Sequence, residues 1–271
     1  QTGEVLAMVN QPAYNPNGNK DGDQSMRRNR SVTDVMEPGS TVKPFVVAAA
    51  LEQGLVTPTS PIDTSPGSLA VGSNTVKDIH NYGRLDTTSV ITKSSNVGVV
   101  KMALRMKRET LWTLYDKVGF GKRTGIQFPG EETGRFRNYK RWSDFEYATQ
   151  AFGYGLSVTP LQLARAYSVL AADGVLRPVS LLKLDQAPEG ERVLSAKTAK
   201  EVRAMMETVV SPKGTAKQAM IEGYGVAGKT GTAKKSSGRH GYAAGRYQAV
   251  FAGMAPARDP RFVLVVMVDE P

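Results

Sequence analysis

The sequence contains no cysteine and only two histidines, His80 and His240. The absence of cysteine excludes disulfide bonds, thiol nucleophiles and thiolate metal sites. The two histidines lie far apart in sequence, and neither has a partner at metal-ligand spacing, which disfavours a zinc site and a Ser-His-Asp triad. We therefore expect chemistry that needs no metal and no cofactor.

Long apolar runs are also missing. No stretch reaches the roughly eighteen apolar residues that a membrane-spanning helix needs, and no signal peptide precedes Gln1. Any anchor or export signal is therefore expected to lie outside this sequence. The chain opens on a strand-like run at residues 4–9 and closes on another at 262–268, and such ends are typical of a domain trimmed on both sides.

Acidic residues are fewer than basic ones: the sequence has 25 Asp and Glu and 35 Lys and Arg, which gives a formal net charge of +10. An anionic partner therefore has to be considered. The basic residues are scattered over stretches at 105–108, 122–123, 135–141 and 234–246. None of these stretches has the interleaved aromatic residues of the usual nucleic-acid motifs. The composition favours a solvated basic surface and gives no reason to expect nucleic acid as a partner.

Length and hydrophobic periodicity predict one large α+β domain over residues 1–271. Helices are expected at 41–53, 97–118, 160–172 and 196–210, short strands and turns at 57–82, and longer strands at 4–9, 225–233, 247–255 and 262–268. Gly54 is expected to end the first helix. Strands near both ends predict that the first and last strands meet in one antiparallel sheet flanked by helices, with the last strand buried.

The first candidate for chemistry is the pair Ser40 and Lys43 at the start of the predicted first helix. At this spacing Lys43 lies one helical turn from Ser40, so its amine is within reach of the hydroxyl. Free backbone N–H groups at a helix start favour developing negative charge. A neutral Lys43, its pKa depressed by burial or by a nearby cation, could take the Ser40 proton.

The Ser-x-x-Lys pattern alone is weak, because about one chance match is expected in a chain of this length. Ser40 could equally be only a helix cap. A second match, Ser180 with Lys183, follows Arg177 and Pro178 in a β-like stretch. There the two side chains would point to opposite faces. The sequence therefore favours Ser40.

Two further short motifs could complete a site. Ser94, Ser95 and Asn96 precede a predicted helix, so Ser94 could relay a proton and Asn96 could hold a carbonyl, although a simple helix cap explains them equally well. The other motif is predicted to lie on a strand, where its glycine would let a ligand backbone approach and its lysine and threonines could bind a carboxylate. Its residues are Lys229, Thr230, Gly231 and Thr232.

A nucleotide-binding alternative has to be weighed, because residues 223–230 match the G-x-x-x-x-G-K-[ST] pattern of a P-loop. A P-loop follows a buried strand and opens a helix. Residues 231–238 are poor helix sequence, and residues 220–222 are too short for the strand. The surrounding sequence therefore disfavours a nucleotide site.

Taken in order, Ser-x-x-Lys, Ser-x-Asn and Lys-Thr-Gly resemble the motif set of penicillin-binding proteins and serine β-lactamases. Further segments resemble the class B penicillin-binding proteins, and within them the septal transpeptidases of Gram-negative division. These segments are TGEVLAM at 2–8, YNPN at 14–17, RNR at 28–30, EPGSTVKP at 37–44, KSSNVG at 93–98, FGYGLS at 152–157 and TPLQLA at 159–164. The resemblance covers nearly the whole chain.

The resemblance implies a transpeptidase fold and a set of roles. Ser40 would be the nucleophile and Lys43 its base, with Ser94 and Asn96 as the second wall of the site. Lys229 and Thr230 would bind a carboxylate, and the backbone N–H groups of Ser40 and Thr232 would form the oxyanion hole. The positions that match the family's pocket lining are Glu37, Phe152, Tyr154 and Lys234.

For the whole protein, the resemblance implies a membrane anchor and a non-catalytic pedestal that this chain lacks, and exposure at the periplasmic face of the inner membrane. The implied substrates are D-Ala-D-Ala stem peptides of peptidoglycan, and the implied inhibitors are β-lactam antibiotics. The implied partners are the septal glycosyltransferase and other division proteins. Family members continue past residue 271 into a loop and a helix that packs on the sheet.

Three other functions share the same motifs. A serine β-lactamase would need a residue that activates a deacylating water, and the sequence offers no clear candidate. A carboxypeptidase would use water where a transpeptidase uses an amine, and a β-lactam sensor domain would be acylated and stop. The long match to class B sequences favours the transpeptidase.

Overall fold

The structure is a computed structural model and describes residues 2–15, 17, 24–236 and 242–271. Its helices are α1 (Arg30–Thr33), α2 (Lys43–Glu52), α3 (Thr87–Thr92), α4 (Asn96–Ala103), α5 (Arg108–Lys117), α6 (Asp144–Gln150), α7 (Pro160–Ala171) and α8 (Ala196–Val209). Short 3-10 turns lie at Gln24–Arg27, Gly39–Val42, Tyr139–Arg141 and Lys217–Ala219. No helix in the described part of the chain is both long and apolar enough to cross a membrane.

The strands are β1 (Pro61–Asp63), β2 (Ser68–Val71), β3 (Asn74–Lys77), β4 (Arg84–Asp86), β5 (Val175–Leu176), β6 (Glu191–Arg192), β7 (Ala227–Ser236), β8 (Tyr242–Ala255) and β9 (Phe262–Asp269). The last three form an antiparallel sheet in the order β7-β8-β9. The others pair in two-stranded ribbons, β1 with β4, β2 with β3 and β5 with β6. The predicted α+β class, an antiparallel sheet with flanking helices, is confirmed.

Helix α2 lies at the centre of the core. It is apolar on all sides, and every residue from Lys43 to Ala50 is buried, as expected for a helix surrounded by other elements. It contacts α4, α5 and α8. Phe45 packs edge-on against Phe120 and Tyr167, with ring centroids 6.1 and 5.6 Å apart. The 3-10 turn Gly39–Val42 therefore leads into a helix that is packed on all sides.

Several predicted elements are confirmed. Helix α2 ends before Gly54, whose φ of +65° suits a residue just past a helix C-terminus. Helices α7 and α8 match their predicted ranges. The side chains of Thr159 and Ser195, the residues just before them, cap their N-termini. Helices α7 and α8 cover one face of the main sheet.

One predicted helix, 97–118, is divided in the structure into α4 and α5. Residues 104–107 form the break, and Lys107 is extended before α5. The hydroxyl of the buried Tyr147 donates to the carbonyl oxygens of Ala103 and Met106, at 2.6 and 3.2 Å. Ala103 O also accepts the backbone N–H of Met106 at 2.8 Å, so Tyr147 adds a further hydrogen bond to this turn at the end of α4. The break is thus stabilised by a residue distant in sequence, which periodicity does not reveal.

The prediction that the first and last strands pair is wrong. Residues 4–9 form no strand, and their backbone is tied instead to residue 180, with Val5 N donating to Ser180 O at 2.8 Å. Glu4 also accepts the backbone N–H of Leu184 at 2.7 Å. Val5 packs with a small separate cluster formed by Val32, Ile126 and Leu161. The partners of this run are therefore residues 180 and 184 and the small cluster, not β9.

The prediction that the last strand is buried is also wrong. Strand β9 alternates, with Phe262, Leu264, Val266 and Val268 exposed by 45% to 59%. The intervening residues Val263, Val265 and Met267 pack against the core. A continuous apolar run suggested burial on both faces, but among the described strands β9 pairs only with β8, and it presents one face to the α7–α8 layer.

Candidate active site

Ser40 lies in the 3-10 turn Gly39–Val42, which leads directly into α2. The turn is held from three sides. Gly39 N donates to Gly153 O at 3.1 Å, Thr41 Oγ1 donates to Pro38 O at 2.7 Å, and Tyr167 donates its hydroxyl to Thr41 O at 2.7 Å. Ser40 itself is only half-buried. A fixed backbone therefore presents a hydroxyl that a ligand can reach.

Lys43 is fully buried one turn after Ser40. Its amine Nζ donates to Asn96 Oδ1 at 2.7 Å and lies 3.2 Å from Ser94 Oγ. Burial, and next the positive charge of Lys229, hold the pKa of Lys43 well below its ordinary value, while Asp78 opposes the shift. A neutral amine of this kind can accept a proton. The structure thus brings Lys43, Ser94 and Asn96 together.

Asp78 was missed in the sequence. It follows β3, accepts the Ser95 hydroxyl at 2.6 Å and accepts the backbone N–H groups of Asn96 and Val97 at 2.5 and 3.0 Å. Ser95 in turn caps α4 through Gly98 N. Asp78 therefore fixes the segment that carries Ser94 and Asn96. Because the contact spans unrelated segments, no local pattern pointed to it.

Lys229 is fully buried on β7, and its Nζ donates to Thr230 O at 3.1 Å. Burial lowers the pKa of Lys229 to about 7. The Thr230 hydroxyl lies 2.8 Å from that of Thr215, another residue that the sequence did not single out. Lys229 and Thr230 are thus consecutive residues of β7, and an ammonium and a hydroxyl are the kinds of group that bind a carboxylate.

Backbone segments approach each other closely beside Ser40. A Cβ at Gly231 would lie 2.8 Å from Pro38 O, and one at Gly153 would lie 2.0 Å from Gly39 O. A Cβ at Gly39 would lie 3.1 Å from Thr232 O. Only glycine fits such contacts. Strand β7 and the loop at 152–155 are therefore pressed against the turn that holds the nucleophile.

The residues predicted to line the pocket also lie together at one side of this turn. Tyr154 packs against Phe152 with ring centroids 5.7 Å apart, and its hydroxyl lies 3.5 Å from Thr232 O. The backbone of Lys234, an exposed residue of β7, hydrogen-bonds to the same hydroxyl. Glu37 accepts Gly155 N at 2.8 Å and the hydroxyl of Tyr242 at 2.9 Å. The sequence did not reveal Tyr242.

The alternatives raised by the sequence are resolved by position. Lys229 lies inside β7, and residues 231–236 continue that strand where a P-loop would open a helix, so the motif does not have P-loop geometry. Ser180 donates its hydroxyl to Leu182 O at 2.8 Å, and Lys183 is exposed. Among the described residues no group of three or more acidic or histidine side chains is placed to hold a metal. His80 is exposed, and His240 lies outside the described residues.

Comparison with known proteins agrees with this geometry. The model of the penicillin-binding protein transpeptidase domain matches residues 1–271. The chain is 47% identical over 270 residues to peptidoglycan D,D-transpeptidase FtsI of Escherichia coli strain K12, covering 100% of the chain and 45% of that protein. It is 46% identical over 272 residues to the probable peptidoglycan D,D-transpeptidase PenA of Neisseria meningitidis serogroup B, covering 46% of it.

A solved structure is similar throughout. The apo transpeptidase domain of penicillin-binding protein 3 from Burkholderia pseudomallei shares 46% identity, with a TM-score of 0.92, over 100% of this chain and 78% of that one. The chain spans less than half the length of the curated relatives FtsI and PenA. It belongs to the penicillin-binding protein transpeptidase domain family.

Proposed function

We propose that this domain is the catalytic part of a peptidoglycan D,D-transpeptidase that works through a Ser40 ester. One observation carries the proposal: a fully buried lysine one turn from Ser40 donates to Asn96 and lies beside Ser94, while β7 presents Lys229 next to the same turn. This is the arrangement of an activated serine with a separate anion site. The family names of the relatives agree with it.

In the first step Lys43 takes the Ser40 proton, and Ser40 Oγ bonds to the carbonyl carbon of the penultimate D-Ala. The C–N bond to the terminal D-Ala then breaks, and the leaving amine receives the proton. The backbone N–H groups of Ser40 and Thr232 are proposed to hold the oxyanion. The close approach of Gly39 to Thr232 is consistent with both groups facing one carbonyl oxygen.

Lys229, Thr230 and Thr232 are proposed to bind the carboxylate of the terminal D-Ala, and Ser94 to relay the proton between Lys43 and the leaving amine. Asn96 would hold an amide of the donor, with its side chain already fixed by Lys43 and by Lys77 O at 2.9 Å. Gly231 lets the donor backbone approach β7. Phe152, Tyr154, Glu37 and Lys234 would line the cleft beyond the reacting bond.

A β-lactam would follow the same route to the ester, but its leaving nitrogen stays tethered in the opened ring. For the full-length protein we propose septal wall synthesis at the periplasmic face of the inner membrane, together with a septal glycosyltransferase and other division proteins. This placement rests on the likeness to FtsI alone.

The test is acylation by a fluorescent penicillin. Ser40→Ala should abolish labelling, because the ester needs that hydroxyl, whereas the matched variant Ser180→Ala should label like the parent. Labelling lost in Ser180→Ala and kept in Ser40→Ala would refute the assignment.

Mass spectrometry of the intact protein with excess penicillin separates a transpeptidase from a β-lactamase. We expect one drug molecule per chain and an adduct that survives for many minutes, because a site built for an amine acceptor has no need to activate a water beside the ester. Rapid return of the unmodified mass, with many equivalents of drug consumed, would instead indicate a β-lactamase.

A further inference from the structure

Glu37 is a half-buried carboxylate three residues before the nucleophile. Its two oxygens accept one hydrogen bond each, from Gly155 N and from the Tyr242 hydroxyl. Neither donor is charged, and among the described residues no lysine or arginine forms an ion pair with Glu37. A partly desolvated carboxylate without a charged partner among the described residues is costly, and it is notable in a chain with a formal charge of +10.

The carboxylate also keeps spare capacity. An ionised carboxylate can accept about four hydrogen bonds, and two are made here. Asp78, the other carboxylate near the proposed catalytic residues, is engaged differently, since it accepts one hydroxyl and two backbone N–H groups that hold α4. Glu37 is therefore the acid of the two that remains able to receive a positively charged ligand.

Its position agrees with such a role. Tyr242 meets Tyr154 edge-on at 5.9 Å, and the Tyr154 hydroxyl reaches Thr232 O, so Glu37 is held on the side of the cleft formed by the loop at 152–155 and the start of β8. The proposed site for the donor carboxylate is cationic, with Lys229. The cleft thus has a positive group for the donor and a negative group elsewhere, which sorts ligands by charge.

We infer that Glu37 binds the ammonium group of the acceptor amine, and that Tyr242 is a positioning residue that orients the Glu37 carboxylate for this contact. The inference rests on the proposed transpeptidase function, whose second substrate is an amine. The ligand class is a primary ammonium. Burial also raises the pKa of Glu37, and within the described part of the chain only the hydrogen bonds from Gly155 and Tyr242 oppose this rise.

In the step that this contact serves, the ammonium loses one proton to solvent, and the resulting amine attacks the Ser40 ester. The new C–N bond forms and the C–O bond to Ser40 breaks. The second proton leaves the nitrogen and returns to Ser40 Oγ through Lys43. Glu37 contributes by holding the acceptor near the ester before the first proton is lost.

The experiment measures how the acyl-enzyme divides between an added nucleophile and water. With an acylated D-Ala-D-Ala peptide as donor, D-alaninamide supplies a cationic acceptor, and hydroxylamine supplies one that is neutral at neutral pH. In Glu37→Gln the ratio of transfer to hydrolysis should fall at least about tenfold for D-alaninamide, the effect of losing a charge-assisted contact, and by less than about twofold for hydroxylamine. Because each ratio is internal to one enzyme, slower acylation does not affect it.

Tyr242→Phe keeps the ring but removes the hydroxyl, so the D-alaninamide ratio should fall in the same direction by about threefold. Glu222→Gln, on an exposed loop, is the matched control and should leave both ratios unchanged. Equal losses for both nucleophiles in Glu37→Gln, or no loss for either, would overturn the inference while leaving the ester mechanism intact. A parent that transfers to neither nucleophile would overturn the transpeptidase function, and the inference with it.

Discussion

Two lysines, Lys43 and Lys229, are completely buried beside the same serine, yet their surroundings differ. Lys43 has three oxygen partners from the segment 94–96, whereas Lys229, within the part of the chain that the structure describes, donates only to Thr230 O. Burial lowers the pKa of both, and the charge of Lys229 lowers that of Lys43 further. Charging both at once is therefore unfavourable, which suits the proposed roles of Lys43 as a neutral base and of Lys229 as the cation for a carboxylate.

This division predicts a pH dependence of acylation. Burial lowers the pKa of Lys229 to about 7, so its ammonium, the group proposed to bind the ligand carboxylate, is lost as the pH rises above that value. The second-order rate constant for a penicillin carrying a free carboxylate should then fall by up to roughly tenfold per pH unit. Lys229→Met should lower the constant and remove this alkaline fall.

A penicillin ester, which lacks the carboxylate, is the matched ligand and should show no such fall in the parent. Rate constants measured by stopped-flow fluorescence from about pH 6 to about pH 9 test this. A fall of equal steepness for acid and ester would exclude Lys229 as the titrating group.

At the scale of elements, the start of α4 determines where Ser94 and Asn96 lie. Ser94 has a φ of +59°, a conformation that non-glycine residues seldom adopt. It is followed by the Ser95 cap, and Asp78 binds the first N–H groups of α4 from outside the helix. A carboxylate at a helix N-terminus is favourable for the helix. The charge of Asp78 also opposes the lowering of the Lys43 pKa.

Asp78→Asn should therefore have two effects. Loss of the charged cap should cost about 1 kcal/mol, or roughly 2 to 4 °C in melting temperature. Loss of a charge that raises the pKa of Lys43 should shift the acid limb of the acylation profile to lower pH. Asp86→Asn is the matched control, because Asp86 caps α3 by accepting Ser89 N at 2.6 Å. Asp86 is not among the groups that shift the pKa of Lys43. It should lose similar stability with no shift of the acid limb, and equal shifts in both variants would contradict the coupling.

The contact of β7 with the nucleophile turn gives a prediction about glycine. In Gly231→Ala the new Cβ would meet Pro38 O at 2.8 Å and Thr41 Cγ2 at 2.9 Å, so strand and turn must separate. We expect a stability loss of about 1–3 kcal/mol and a fall in acylation of at least about tenfold, because misplaced reacting groups lose rate steeply.

Gly225→Ala is its control, since its nearest neighbour is the flexible end of Glu207 at 3.0 Å. Acylation kinetics and thermal unfolding of both variants separate the two effects. Normal acylation by Gly231→Ala would show that the close approach is not required.

At the scale of the whole molecule, the sequence predicted the parts that depend on local pattern. The Ser40 turn leading into α2 and the ranges of α7 and α8 could be predicted because the residues that define them are neighbours in sequence. The division of α4 from α5 was not, because it depends on the distant hydroxyl of Tyr147. Pairing of residues 4–9 with β9 failed for a similar reason, since apolar alternation does not name a partner strand.

The candidate site shows the same limit. Motif order predicted Ser40, Lys43, Ser94, Asn96 and Lys229, and the structure brings them to one place. Asp78, Thr215 and Tyr242 were missed because each acts through a contact between segments far apart in sequence. Residue type alone gives no hint of such a contact.

The packing of β7 against the turn at residue 39 also bears on how the chain folds. Most of the chain lies between these two segments, so joining them closes a very long loop, and contacts of this kind form slowly. The helices around α2 can assemble from nearer neighbours, but the anion site and the serine meet only after the C-terminal sheet has docked. Reactivity towards a β-lactam is therefore a property of the completed topology, and a fluorescent penicillin counts chains that have finished folding rather than chains that are merely compact.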